Sequence, residues 1–334
     1  MEHAFPRIRL LFLLAITVSP DLPAAASDRV DDRVLGHDHF YNLEYEEAIE
    51  ANRRLVSQQP DDPSAHNRLA TAILYKELLR LGKLETKAFK GDTQFHAWEK
   101  PNADPKVWNE FKGVLLLGRQ IAEDILEADP QDVKALYALS TNHALESTYQ
   151  FMVRTSYFRA LQSSNRADRH SRESIKTHPE FIDGYLIAGT HEYVVGNLPW
   201  ALRFMVAVGG VRGSKKKGEE YVRLVAENGD MARDSARALL VLLLRREQRP
   251  LEAVPFLEGI IRDFPRNYLM HLELAGLYEN AGQDKTALDI FRNIQDKVKT
   301  NTDRFGRMPT RVQEALARRI AKAERDMGVR SGGS

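Results

Sequence analysis

Histidine, serine and carboxylate side chains are the groups of this chain best able to do chemistry, and their spacing matches no catalytic or metal-binding motif. His37 and His39 lie two positions apart, so on a helix their rings point in different directions. The sequence holds no H-E-x-x-H pair, and Ser163, near Asp168 and His170, lies in no G-x-S-x-G segment. We therefore predict a protein that is not an enzyme, with no catalytic residue, no metal site and no cofactor.

A glycine- and lysine-rich segment, residues 209–218, has some features of a phosphate-binding loop. That loop needs a glycine directly before its lysine and a serine or threonine directly after it. Here Ser214 precedes Lys215 and Lys216 follows it. The sequence therefore favours a solvated turn between helices over a nucleotide site.

Composition excludes further kinds of chemistry. The 334 residues carry a formal net charge of +1, so no overall attraction to nucleic acid is expected. Cysteine is absent, which excludes disulfides, thiolate nucleophiles and cysteine-bound zinc within this chain. We predict no nucleic-acid partner.

The first residues have the pattern of an export signal. Arg7 and Arg9 precede a short apolar stretch at 10–18, and three alanines at 24–26 offer a cleavage site. The apolar stretch is shorter than the roughly 20 residues that span a bilayer. We predict a cleaved signal peptide over 1–26, no stable membrane span and a periplasmic or envelope location in a bacterium. An uncleaved N-terminal anchor is the alternative.

Small residues recur twelve positions apart along the chain, and this pattern predicts the helices that position all these residues. The pairs are Gly36 and Ala48, Gly189 and Ala201, Ala275 and Ala287, and, with a larger first member, Val241 and Ala253. Two of the second members are followed twelve residues later by a proline, Pro60 or Pro265. Small side chains at these positions let the two helices of a hairpin cross closely.

This pattern resembles the tetratricopeptide (TPR) repeat, whose consensus W-x2-L-G-x2-Y, A-x3-F and P spans about 34 residues. The resemblance implies an all-α fold over 28–328. We expect a right-handed α-α superhelix of about six helical hairpins, a C-terminal capping helix and a disordered tail at 329–334. The segment 193–200 is similar to a group of exported bacterial TPR proteins that carries no assigned reaction.

One long segment interrupts the repeats. Residues 83–106 are polar and include the aromatic Phe95 and Trp98. We interpret them as an irregular insertion between the two helices of one repeat, because a loop this long inside a compact fold is usually functional or disordered.

In TPR-like proteins the first helix of each repeat lines a concave groove, and the resemblance gives a set of candidate contact residues. They are Asn67, Arg68, Thr71, Tyr75, Tyr137, Thr141, Thr190, Tyr193, Arg245 and Arg246. We predict a non-catalytic scaffold that binds a protein or peptide in this groove. The alternative is a binder of a small apolar molecule or lipid, in a cavity covered by residues 83–106. The sequence indicates no oligomeric state.

Overall fold

The computed structural model describes residues 31–84, 102–198 and 212–331. These residues form thirteen α-helices and two short 3₁₀ helices, and they contain no strand. The predicted all-α fold class, with helices in consecutive packed hairpins, is confirmed. The predicted signal peptide, residues 85–101 of the insertion and residues 209–211 lie outside the described residues.

The helices follow one another with short turns wherever the structure describes the connection. They are α1 (Asp32–Tyr41), α2 (Tyr45–Gln58), α3 (Pro63–Arg80), α4 (Pro105–Ala128), α5 (Val133–Met152), α6 (Tyr157–Thr177), α7 (Tyr185–Gly196), α8 (Lys215–Asn228), α9 (Arg233–Arg246), α10 (Pro250–Asp263), α11 (Tyr268–Asn280), α12 (Asp284–Thr300) and α13 (Thr310–Ser331). The 3₁₀ helices are Ile182–Gly184 and Thr302–Arg307.

The helices belong to two compact units. Among the described residues, unit 1 comprises 31–40, 44–84, 102–198 and 212–243, and unit 2 comprises 41–43 and 244–331. The sequence suggested a single continuous solenoid. The boundary was not visible in the sequence, because it falls inside α9, after Leu243, where the helical pattern continues without a break.

In unit 1 the first helices of the hairpins are buried on all sides, and the second helices are buried on one. Helices α3, α5 and α7 have buried residues around their whole circumference. Helix α6 buries small residues spaced three or four apart, from Ala160 to Ser174, and exposes its other side. A helix buried all round belongs in a core, whereas a one-sided helix covers it.

Glycines allow the closest helix crossings in unit 1. A Cβ added at Gly36 would lie 3.0 Å from the side chain of Asn52 in α2. In α7 and α8, a Cβ at Gly189 would meet Tyr221 at 2.8 Å, and one at Gly218 would meet the backbone of Tyr193 at 2.5 Å. Gly36 therefore allows α1 and α2 to approach each other closely, as the sequence predicted. The close contact of Gly189, by contrast, is with α8. Its predicted partner Ala201 lies outside the described residues.

Side-chain hydrogen bonds to backbone carbonyls connect the helices of unit 1. Asn67 Nδ2 donates to Ala138 O at 2.8 Å, joining α3 to α5. Ser140 Oγ donates to Ala167 O in α6 at 2.8 Å, and Ser147 Oγ donates to Ala160 O at 2.7 Å. Because a buried hydroxyl or amide needs a partner, these bonds specify how far each helix can slide along its neighbour.

Helix α9 also contacts α1 within unit 1. His37 Nε2 lies 3.1 Å from Asp234 Oδ2. Burial opposes ionisation of the Asp234 carboxyl, yet the hydrogen bond and charge of His37 hold its pKa below the usual value. The side chains of His37 and Asp234 therefore connect the first helix of unit 1 with the last.

Unit 2 packs α10 on α11, α11 on α12 and α12 on α13. Ala275 and Ala287 are buried, as expected for small residues where two helices cross. Phe291 and Phe305 are fully buried beside them. Helix α13 continues the stack through Leu316, as expected for the capping helix.

Three predicted boundaries differ from the structure. Helix α4 begins at Pro105, because Asp104 accepts a hydrogen bond from Lys106 N and proline suits the first helical turn. Residues 215–218 lie in the first turn of α8 rather than in a glycine-rich turn. Helix α13 continues to Ser331, so residues 329–331 are helical and not part of a disordered tail.

Candidate binding pocket in unit 1

Four turns that each precede the first helix of a hairpin border one pocket of about 590 Å³ in unit 1. These turns lead into α3, α5, α7 and α9, and Arg33 adds the first turn of α1. A volume of this size falls within the range of about 300–1,000 Å³ typical of ligand pockets. Because every hairpin of unit 1 contributes, the pocket depends on the correct stacking of the whole unit.

Aspartates shape the turns that border the pocket. Asp62 accepts a hydrogen bond from Ser64 N at 2.9 Å and caps α3, and Asp132 accepts one from Ala135 N at 2.7 Å and caps α5. A carboxylate at this position satisfies backbone amides that have no partner inside the helix. The turns are therefore held in place by short-range contacts of their own residues.

Asp183 connects two of the turns. Its carboxylate accepts hydrogen bonds from the backbone amides of Asp230, Met231 and Ala232, at 3.1, 3.0 and 3.0 Å. Burial raises the pKa of Asp183, and the three amide bonds oppose that rise. This one side chain fixes the start of α9 against the turn before α7.

The floor of the pocket consists of Pro63, Arg68, Ala135, Tyr137 and Asp183, all buried. Arg68 and Asp183 carry opposite charges, so the floor is formally neutral. The ring of Tyr137 meets Phe181 edge to face, with ring centroids 5.4 Å apart. Burial, followed by the charge of Asp183, raises the pKa of the Tyr137 hydroxyl, which therefore stays neutral.

The mouth of the pocket carries the exposed charges. Asp61, Glu180 and Asp230 are exposed there, with Lys134 as the exposed cation. The pKa of Glu180 lies below its usual value, mainly because its carboxylate accepts a hydrogen bond from its own backbone amide and also because it accepts one from His178. Together, six carboxylates and three cationic side chains line the pocket, a formal excess of three negative charges.

Two of the predicted groove residues, Arg68 and Tyr137, line this pocket. They lie on α3 and α5, one helical turn inside the aspartate caps. The prediction thus identified two residues of the floor, although the pocket lies at the ends of the helices and not along their length.

Five other predicted groove residues lie in the interior of unit 1, and the expectation that they line an open groove is wrong. They are Asn67, Thr71, Tyr75, Thr141 and Tyr193, each at most 5% exposed. Thr71 Oγ1 donates to Asn67 O at 2.7 Å, and Tyr75 packs edge to face on Phe40 with centroids 5.0 Å apart. The reason is that first helices surrounded by neighbours leave no free face.

The remaining three predicted residues do not share a surface with the pocket. Thr190 is partly buried and donates to Leu186 O in its own helix at 2.7 Å. Arg245 and Arg246 belong to unit 2, where Arg245 Nη1 lies 2.5 Å from Glu273 Oε1. None of the three lines the pocket.

The residues of the mouth and the turns were not predicted from the sequence. The signal was present, since an aspartate directly precedes Pro63 and another precedes Val133, as expected for residues that cap a helix. Asp183 could not be found in this way, because the amides that it binds lie 47 to 49 residues further along the chain.

Aromatic residues near the described end of the insertion fill the core instead of lining a cavity. The ring of Phe111 stacks on that of Tyr149 with centroids 4.7 Å apart, and Trp108 lies 4.8 Å from the same tyrosine ring. Phe111 and Tyr149 are fully buried. No described residue of 83–106 lines the pocket.

Asp38, His39 and Glu44 place potential metal-ligand atoms within 4.8 Å of one another. His39 Nδ1 lies 2.6 Å from Glu44 Oε2, and Glu44 is buried. A hydrogen bond between these two side chains accounts for their approach without an ion. The predicted absence of a metal site stays a prediction.

Residues 33–77, from α1 into α3, match a family model described as tetratricopeptide repeat. The chain carries a TPR repeat. This segment includes Gly36, Ala48 and Pro60, the residues on which the sequence interpretation depended, so a TPR-type architecture is confirmed. Similarity to an exported bacterial TPR group stays a prediction.

Two solved structures are similar to this chain at low sequence identity. The crystal structure of yeast Tom70 is 11% identical and covers 90% of this chain and 89% of its own, with a TM-score of 0.28. A monomeric IFIT1 mutant with m7Gppp-AAAA is 15% identical and covers 88% of this chain and 63% of its own, with a TM-score of 0.34. With such low values these likenesses concern the fold alone. No curated protein matches this chain.

Among the described residues, no helix combines the length and apolar composition needed to cross a membrane.

Proposed function

We propose that this TPR-type protein is a non-catalytic scaffold of the cell envelope that binds a segment of a protein partner, with the pocket of unit 1 as the point of contact. The observation that carries the proposal is the convergence of four turns and the start of α1 on one pocket. Repeats of this kind serve mainly as binding surfaces. The pocket offers apolar walls and polar groups together, which is what a peptide segment requires.

The contact in this proposal differs from the predicted groove. The first helices of unit 1 bury the groove residues against one another, as Asn67 and Tyr193 illustrate. The turns that lead into first helices remain accessible at the mouth, through Asp61 and Asp230, together with Asn228 at the end of α8. Partner binding at the ends therefore needs no rearrangement of the core.

Site-specific crosslinking in the native cell tests the pocket. A photoreactive residue at Asn228, exposed at the mouth, is expected to capture a partner, and one at the exposed Leu117 in α4 is not. The substitution Met231→Trp, which fills the pocket, should abolish the capture, whereas Leu117→Trp should leave it intact. Capture that is the same with Met231→Trp would exclude the pocket as the contact.

The envelope location rests on the pattern of the first 26 residues. N-terminal sequencing of the protein purified from the periplasmic fraction is expected to show a new terminus after the alanines at 24–26. Recovery of the intact N-terminus in the cytoplasmic fraction would contradict the location without affecting the binding proposal.

The alternative, a small apolar molecule or lipid under residues 83–106, stays a prediction. Native mass spectrometry of the purified protein tests it, since a persistent small mass would support a cavity ligand. The charged mouth of the pocket in unit 1 does not favour an apolar ligand at that site.

A further inference from the structure

The charged side chains that line the pocket of unit 1 are distributed differently at its floor and at its mouth. On the floor, the charges of Arg68 and Asp183 balance. At the level of the mouth and upper walls, five carboxylates face two cations, Arg33 and Lys134. The whole negative excess therefore lies where a ligand enters.

Helix dipoles reduce this excess without reversing it. Four helix N-termini, those of α1, α3, α5 and α9, and two helix C-termini, those of α4 and α8, border the pocket. At about +0.5 charge for each N-terminus and about −0.5 for each C-terminus, they add roughly +1 together. Against a formal excess of three negative charges, most of the negative charge remains, so the mouth attracts cations.

The walls between mouth and floor are apolar. They are formed by Ile125, Phe181, Ile182 and Met231, each partly exposed in the pocket. These four large apolar side chains, one from the end of α4 and three from the turns before α7 and α9, offer apolar surface for one apolar side chain of a ligand. A small hydrophilic cation would leave this surface unused.

From these three features we infer that the pocket recognises a basic segment of a protein partner, in which an apolar side chain packs against the walls while flanking lysine or arginine side chains meet Asp61, Glu180 and Asp230. This inference rests on the proposed function and adds the chemical class of the ligand. The acidic mouth selects the partner and increases its rate of association, and the apolar contact slows its release.

Fluorescence anisotropy with a defined probe tests the inference on the full chain. The probe is a short, labelled, C-terminally amidated peptide with a central leucine flanked by lysines. Two matched peptides carry N-acetyl-lysine at the same positions, or serine in place of the leucine. We expect each change to weaken binding about tenfold at low salt, and rising salt to weaken binding of the lysine peptide.

Variants of the protein locate the effect. The mouth variant removes three exposed negative charges through Asp61→Asn, Glu180→Gln and Asp230→Asn. We expect it to bind the lysine peptide about tenfold more weakly. A control variant removes the same number of negative charges from exposed positions that do not line the pocket. Its substitutions are Glu50→Gln, Glu123→Gln and Glu258→Gln. It should bind like the unaltered protein.

The outcomes separate the inference from the proposed function. Equal binding of the lysine and N-acetyl-lysine peptides, or an unaffected mouth variant, would overturn the basic ligand. If Met231→Trp still abolished partner capture in that case, the pocket would remain the binding site with a different ligand class. Competition by spermidine as effective as the peptide would assign the pocket to a free polyamine and overturn the peptide ligand.

Discussion

Units 1 and 2 stack helices in the same chain order, yet buried polar bonds between neighbouring helices are more prominent in unit 1. In unit 1, buried amides and hydroxyls bond to backbone carbonyls of neighbouring helices, as Asn67 does to Ala138. Aromatic side chains fill both cores, Phe111 and Tyr149 in unit 1 and Phe291 and Phe305 in unit 2, and ion pairs such as Arg245 with Glu273 also join helices. Hydrogen bonds specify register, whereas apolar burial supplies stability with less geometric restriction.

This difference matters because the candidate pocket lies in unit 1. The pocket needs turns from four hairpins at fixed positions, and a slide of one helix would separate them. Asn142 illustrates the restriction, since its Nδ2 donates to both Asn67 Oδ1 and Leu115 O at 2.9 and 2.8 Å. We therefore expect polar substitutions to affect unit 1 more than unit 2, whereas truncation of a fully buried aromatic residue should destabilise either unit.

Phe291→Ala is expected to have the largest effect. The side chain is fully buried between α11, α12 and α13, so its truncation should cost about 3–5 kcal/mol of the free energy of unfolding. Hydrogen exchange in α11 to α13, together with urea unfolding, measures this loss. The control Phe158→Ala truncates a phenylalanine that is 72% exposed and should change stability by less than about 0.5 kcal/mol. A similar loss in both variants would contradict the assigned packing of unit 2.

Asp183→Ala is the corresponding test of unit 1. It leaves three backbone amides at the start of α9 without their acceptor, and we expect a loss of about 3 kcal/mol. Hydrogen exchange should increase first in the initial turn of α9. Asp230→Ala removes an exposed carboxylate nearby and serves as the control, with an expected change below about 0.5 kcal/mol. An unchanged rate of exchange at the amides of Met231 and Ala232 would disprove the role of Asp183.

The pH dependence of unit 2 should come largely from His271. Burial, and then the charge of Lys297, lowers the pKa of this histidine from 6.5 to about 4. Between these values the unfolded chain binds a proton and the folded chain does not, so stability is complete above pH 6.5 and is lost as pH falls towards 4. The loss should approach about 2–3 kcal/mol for this single group.

Two variants isolate the contribution of His271. Its Nε2 lies 3.1 Å from Pro265 O, a contact that the amide of His271→Gln can replace without titrating. In this variant the free energy of unfolding in urea should depend less on pH between 6.5 and 4. Hydrogen exchange in α11 measures the same effect locally. Asn280→Gln changes an exposed amide at the other end of α11 without removing a titrating group and should leave the pH dependence unchanged. Identical slopes for His271→Gln and the unaltered protein would refute the assignment.

The sequence predicted the fold where the reason was local. Gly36 and Ala48 indicated a close crossing of two helices, and the proline at 60 indicated where α2 ends. Both features depend on residues within one hairpin, so spacing was sufficient to recognise them. The beginning of α4 was misjudged by two residues, because the cap at Asp104 lies in a segment that resembles an irregular insertion.

The candidate site depended on contacts between distant parts of the chain, and there the sequence was a weak guide. Tyr193 and Arg68 both lie on first helices, yet Tyr193 is sealed in the interior and Arg68 reaches the pocket. What separates them is their position along the helix, since Arg68 lies near the N-terminal end of α3, whereas Tyr193 lies in the last turn of α7, against Gly218 of α8.

The smallest expected effect concerns the partly buried ion pair of Arg319 and Glu279 in unit 2. Burial lowers the pKa of Arg319 and raises that of Glu279, so each side chain is disfavoured as an ion by its surroundings. Arg319 also lies over the ring of Phe291, with its Cζ 4.9 Å from the ring centroid. Replacing both charges with methionine should therefore change the free energy of unfolding by less than about 1 kcal/mol, because the cost of desolvation disappears with the pair.

Arg319→Met alone should be more harmful, since it leaves the Glu279 carboxylate partly buried without its ion-pair partner. A double-mutant cycle by urea unfolding separates the two contributions. If the double variant lost more stability than the single one, the desolvation cost assigned to this ion pair would be wrong.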